Sequence, residues 1–206
     1  MQNFSAAFFR RLAWEQLESQ WGSVLLFTLV YFLCYEVVYS ACTTVGVGLL
    51  ASFVLAPMVY AYQVAFLNNR HDGVEFKIDS LFSGYNQFTR LATTGLLVYL
   101  YTLLWSLLFI IPGIIKSISY SQTMFILKDN PNMENNEAIE LSMEMMEGYK
   151  MNYFMLQLSF IGWWLLVFAT CGIAILWVKP YLTAAEAHFY EYVKWEHERR
   201  LMSRTV

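Results

Sequence analysis

Four ionisable residues, Glu36, Lys116, Lys179 and Glu186, stand inside long apolar stretches of this 206-residue chain. In a hydrocarbon layer such charges are costly, about 2.5 to 3.5 kcal/mol for Lys or Asp at mid-span on insertion scales, so each needs a partner, water or a way out. Lys116 follows Pro112 by four residues, about 6 Å of helix rise, and its amine can snorkel to the headgroups. Glu36 lacks that reach. It is expected to pair with Lys116 or Lys179, since all three fall toward the outer ends of their spans, while Glu186 lies deeper, in the cytoplasmic half.

Two polar stripes follow from helical spacing. Lys179, Thr183, Glu186 and Tyr190 share one helix face, and Lys116, Ser119 or Tyr120, and Thr123 share another. Facing one another, they would line a hydrated cavity for a polar or anionic ligand, or zip the helices together. Catalytic patterns are missing: no nucleophile elbow, phosphate-cradling loop or His-Glu-x-x-His occurs. His188 and Glu191 are three apart and His71 and Asp72 adjacent, with no third ligand at metal spacing, so neither a metal nor a cofactor is expected. Cys34, Cys42 and Cys171 form no Cys-x-x-Cys and read as small buried apolar residues. Cys42 and Cys171 fall at the tips of outward hairpins, where a disulfide is sterically open. Tyr39-Ser40-Ala41-Cys42 has the outline of a lipoprotein cleavage box, but the residues before its apolar block are amphipathic where a short basic region belongs.

The elements that must hold these residues are helices in lipid. Apolar residues make up 58% of the chain and charged residues 14%, with net charge −3 and mean hydropathy +0.42, against about 25% charge in a soluble domain. The basic residues are scattered, which argues against a nucleic-acid surface. The apolar residues come in blocks long enough to cross a layer about 30 Å thick. The expected fold is all-α, one integral membrane domain over 1–206 with about six transmembrane helices at 21–41, 45–67, 91–111, 114–127, 151–169 and 173–193. Pro112-Gly113 should end the third and force a turn, and Pro180 should interrupt the sixth. Of the 13 Lys and Arg residues, only Lys116 and Lys179 do not fall on one side, which places both termini in the cytoplasm. Fusing the last two blocks would give five spans and put the basic tail outside. Trp14, Trp21 and Trp195 fit the inner interface, and Trp105, Trp163, Trp164 and Trp177 the outer halves.

An amphipathic segment precedes each hairpin. In 5–18, Arg10, Arg11, Glu15 and Glu18 oppose Phe8, Phe9, Leu12, Ala13 and Leu17, so this helix should lie along the inner leaflet. A second runs over 81–90, entered by a short alternating stretch at 74–79 that could be extended. In the third, 137–150, Glu137, Glu140, Glu144 and Glu147 form one stripe and Ala138, Leu141, Met145, Met146 and Tyr149 the other, with Asn135 or Asn136 as cap. The acidic stripe is a candidate surface for a protein partner. Surface helix plus hairpin thus recurs three times at unequal spacing, a weak internal repeat. Short cytoplasmic connectors in any multi-pass protein would also produce amphipathic lead-ins.

The run Leu104-Trp105-Ser106-Leu107-Leu108-Phe109-Ile110-Ile111-Pro112-Gly113-Ile114-Ile115-Lys116 resembles a bacterial multi-pass family catalogued as domain of unknown function 975. Further agreement lies in Leu81-Phe82-Ser83-Gly84-Tyr85, Ser119-Tyr120-Ser121, the helix from Glu137-Ala138-Ile139 to Gly148-Tyr149-Lys150, Leu158-Ser159-Phe160-Ile161-Gly162-Trp163, and Pro180-Tyr181. The resemblance covers most of the chain from about residue 80 onward. It implies a bacterial membrane protein, similar in style to the membrane region fused to some glycerophosphodiesterases, and it carries over no catalytic residue. The function expected is a non-enzymatic component of the bacterial cytoplasmic membrane, a helper subunit or a bundle handling a small solute or a lipid. The alternative is a membrane-embedded enzyme acting on a lipid, whose titratable groups would have to converge at one depth.

Overall fold

The computed structural model describes residues 5–44 and 48–204. They are helical, with no strand among them. Helices α1 (Ala6–Leu17), α2 (Trp21–Thr44) and α3 (Gly48–Asp72) are followed by a 3₁₀ segment, Ile78–Gln87. Next come α4 (Phe88–Leu108), α5 (Ile110–Tyr120), α6 (Thr123–Asp129), α7 (Asn135–Met145), α8 (Lys150–Leu158), α9 (Ile161–Ala169) and α10 (Ile175–Arg204).

Apolar side chains fill the core and also cover much of the exterior. Thr28, Thr94, Ser119, Gln122, Thr123, Ser142 and Thr183 are buried, whereas Leu33, Val37, Leu107, Ile110, Ile111, Leu165 and Phe168 are exposed. Apolar exteriors of this extent mark contact with another apolar phase. Three stretches among the described residues are long and apolar enough to cross a membrane, Trp21–Thr44, Ile110–Asp129 and Lys150–Ala169. Helix α10 is not one of these, because Lys179, Glu186 and Glu191 interrupt it and a charged run ends it.

Helix α3 ends where Gly73 adopts φ 63° and its amide donates to the Asn69 carbonyl at 3.0 Å, a left-handed C-terminal cap suited to glycine. The chain then runs back along α3. Phe76 packs on Phe66 at 4.9 Å, and the Tyr85 hydroxyl donates to the Val54 carbonyl at 3.2 Å. Gly84 sits so close to α3 that a Cβ there would lie 2.2 Å from the Pro57 carbonyl oxygen. The expected surface helix 81–90 is therefore a 3₁₀ segment pressed on α3, with α4 already under way at Phe88, and no strand forms over 74–79.

Pro112 does not end a helix. Helix α4 stops at Leu108, Phe109 takes extended angles (φ −159°, ψ 145°), and α5 starts at Ile110. Pro112 falls in the first turn of α5, where an amide donor has no partner to lose. Gly113 lets the two arms close, since a Cβ would meet the Ser106 side chain at 2.4 Å. The expected fourth span thus begins earlier and is broken at Ser121–Gln122 into α5 and α6.

Helix α7 is capped by Glu134 in a reciprocal box with Glu137, not by Asn135 or Asn136. Asn135 instead donates to Thr93 Oγ1 at 2.7 Å. The helix ends at Met145, which leaves Glu147 in the turn before α8. The remaining pattern holds: Glu137, Glu140 and Glu144 are exposed, and Ala138, Met145 and Met146 are buried.

The sixth block, expected to close near 193, continues without a break to Arg204. Its 30 residues correspond to about 45 Å of rise. Ala184, Ala185 and Ala187 are fully buried, and such small side chains let α1, α2 and α3 approach closely. Helix α1 packs antiparallel along α10, with Phe9 on Phe189 (5.3 Å) and Trp14 on Tyr181 (5.9 Å), instead of standing apart on a surface. The three lead-ins are placed alike. Helix α1 lies on α10, the 3₁₀ segment on α3 and α7 on α6, each against the second arm of a hairpin.

Candidate functional site

Glu186, the one carboxylate of the expected stripe, is 9% exposed. Its Oε1 accepts from the Tyr153 hydroxyl at 2.9 Å and from Gln157 Nε2 at 2.7 Å, both on α8. Thr183 and Tyr190 also face inward, and Tyr190 donates to Asp129 Oδ2 at 2.8 Å, where Lys194 adds an ion pair at 2.6 Å. Lys179 is half-buried and forms no ion pair among the described residues. Helical spacing therefore found the inward face, and the stripe meets α8 and α6 by direct bonds.

The second stripe is spent on backbone. Ser119 donates to the Ile115 carbonyl at 2.8 Å and Thr123 to the Tyr120 carbonyl at 2.8 Å, while Ser142 of α7 donates to the Ser119 carbonyl at 2.7 Å. No described cavity is lined by both stripes. The amine of Lys116 lies 5.0 Å from the Trp105 ring centroid, 6.0 Å from that of Tyr120 and 3.6 Å from Met143 Sδ. Ring faces and a thioether, not a carboxylate, hold this cation.

Glu36 corrects the expectation of an outer ion pair. It is exposed on α2, and no ion pair among the described residues joins it to Lys116 or Lys179. Depth along a helix could be read from the sequence, but the direction in which the carboxylate faces could not.

Several tethers escaped the sequence. Glu191 binds both Arg70 and His71 at the end of α3. Arg90 donates to the carbonyls of Leu127 (3.4 Å), Asn130 (2.6 Å) and Met133 (3.1 Å), capping the end of α6 and the turn beyond it. Asn69 joins Gln16 (2.9 Å), Gln20 (3.0 Å) and the Val74 carbonyl (2.9 Å). Apart from the bond of Asn69 to Val74, each joins residues far apart in sequence, so local patterning carried no sign of them. Among the described residues no group of three His, Cys, Asp or Glu side chains converges, and Cys34, Cys42 and Cys171 are free thiols.

A largely apolar cavity of about 470 Å³ lies beside the start of α10. Trp14, Trp21, Trp163, Trp177 and Tyr181 supply its aromatic walls, with Leu166, Ile173 and Val178 between them. The indoles expected at two different interfaces thus share one groove. Its one aliphatic hydroxyl is occupied, since Thr170 donates to the Leu166 carbonyl at 2.9 Å and accepts from the Ala174 amide at 3.0 Å.

No curated protein and no solved structure matches the chain. A family model does match, over 107–197, from the end of α4 to the charged part of α10. The match starts later than the resemblance suggested, so Leu81-Phe82-Ser83-Gly84-Tyr85 falls outside it. That segment is similar to an uncharacterised family, described as protein of unknown function (DUF975).

Proposed function

We propose that this protein is a non-enzymatic, multi-pass component of a bacterial cytoplasmic membrane that handles lipid. One observation carries this reading. Glu186, Tyr153, Gln157 and Ser119 are consumed by one another and by backbone, while the large cavity beside the start of α10 is walled almost wholly by apolar and aromatic side chains. A path for a polar solute would need the opposite arrangement, with unspent polar groups lining a cavity. An enzyme would need titratable groups converging on a substrate, and Glu36, Lys116 and Lys179 do not form such a group.

In this reading six helices cross the bilayer, both termini are cytoplasmic, and the bundle consists of three lead-in-plus-hairpin units. The cyclic placement of α1, the 3₁₀ segment and α7 supports the units. The one-sided basic residues support the orientation.

The test is purification in mild detergent followed by lipid extraction, together with reconstitution into vesicles. Lipid retained through purification, with no added permeability to small polar solutes, is the expected result. Lipid-free protein that makes vesicles leak such solutes would overturn the proposal. Impermeant labelling of a cysteine introduced at Arg200 tests the orientation, and labelling from outside the cell would contradict six spans.

A further inference from the structure

We infer that the groove beside α10 holds one acyl chain of an anionic phospholipid whose phosphate rests on Arg10. This deepens the lipid-handling reading and rests on it. The walls select the chain. Trp177, Val178 and Tyr181 share one face of the last helix, and Ile173 and Ala174 continue the wall in the turn before it. The volume of about 470 Å³ lies within the about 300 to 1,000 Å³ of ordinary ligand pockets. With the Thr170 hydroxyl occupied, the lining has little to offer a sugar or a polar solute.

Charge selects the head. Arg10 stands one helical turn before Trp14 on α1, and its charge reaches Tyr181 at the groove wall. Its Nη1 donates to the Ser159 carbonyl at 3.1 Å, which aims the guanidinium from α1 toward the α8–α9 break. No carboxylate forms an ion pair with it among the described residues, in contrast to its neighbour Arg11, which pairs with Glu15 at 3.5 Å. A half-buried guanidinium without a counterion, beside an apolar slot, is complementary to a phosphate that carries a chain. A zwitterionic phospholipid offers the same chain and phosphate but cancels part of the charge, so the site should discriminate between the two.

The experiment is native mass spectrometry of the delipidated full-length chain titrated with phosphatidylglycerol or phosphatidylethanolamine of identical chains, with inorganic phosphate as a third arm. The expected result is one phosphatidylglycerol per chain, at least tenfold tighter than phosphatidylethanolamine, with no retained phosphate. Arg10→Gln should abolish that preference, Arg10→Lys should restore part of it, and Trp163→Phe should weaken both lipids while leaving the preference intact. Equal binding of the two lipids by the unaltered protein, or a preference that survives Arg10→Gln, would overturn the site. Because the first of these outcomes needs no variant, misfolding of a variant cannot shield the proposal. Tight lipid indifferent to Arg10 and Trp163 removes this site and leaves lipid handling standing, whereas a chain that binds neither lipid removes both.

Discussion

The carboxylate of Glu191, on α10, is held by the guanidinium of Arg70 at the end of α3, and its other oxygen by His71. The bond joins the first hairpin to the last helix across 121 residues of chain. The Arg70 side chain is 40% exposed and that of Glu191 22%, so water screens much of the attraction. Pairs of this kind contribute about 0 to 1 kcal/mol. Glu191→Gln is therefore expected to lower stability by no more than about 1 kcal/mol, read as a small fall in thermal midpoint in detergent. A collapse of the fold would show that the pair is far better shielded than its exposure indicates.

Arg90 should matter more. The end of a helix leaves carbonyls without partners, and this side chain serves three of them at and beyond α6. Arg90→Ala is expected to cost about 1.5 to 3 kcal/mol, the range for hydrogen bonds to a charged group. Arg90→Lys should recover only part, because an ammonium cannot span divergent acceptors as a planar fork does. Denaturant midpoints of the two variants compare them directly, and a lysine variant as stable as the parent would contradict the geometric account.

For Glu186, zipping and a working charge predict different outcomes. Its Oε1 accepts both bonds, from Tyr153 and Gln157, and an amide oxygen can accept the same two without a buried charge. Glu186→Gln is expected to be neutral or stabilising. Glu186→Leu should cost about 1 to 3 kcal/mol for each donor left unsatisfied. Loss of lipid retention in a Gln variant of unchanged stability would give the negative charge a role that zipping lacks.

Gly84 and Gly22 make a matched pair. An alanine Cβ at 84 would be driven into the Pro57 carbonyl, whereas at 22 nothing lies within 4 Å. Gly84→Ala should cost about 1 to 3 kcal/mol as overpacking. Gly22→Ala, inside α2, should gain up to about 1 kcal/mol from helix propensity. Equal thermal midpoints for the two variants would mean that the 3₁₀ segment is not pinned against α3.

Periodicity explains what could be read in advance. Apolar blocks gave the hairpin arms approximately, and i, i+3, i+4 spacing identified the buried sides of α1, α7 and α10 because helix geometry is local. Pro112 misled because a proline marks a boundary without saying which side of it the turn lies on, and Phe109, which makes the turn, carries no turn preference. Glu36 and Lys116 misled in another way. Their depths were legible, but whether Glu36 turned outward and whether Lys116 met indole or carboxylate depended on how separate helices are rotated against one another.

The unbroken course of α10 to Arg204 has a mechanical corollary. The helix that floors the groove at Val178 and Tyr181 is the same rod that carries Arg199 and Arg200 at its far end. Its one missing rung falls at Pro180, which cannot donate to the carbonyl four residues earlier. The rod is therefore stiff along the charged portion and compliant where it meets the groove. A load applied at the arginines would be borne as bending at Pro180, opening or pinching the slot at the far end of the lever.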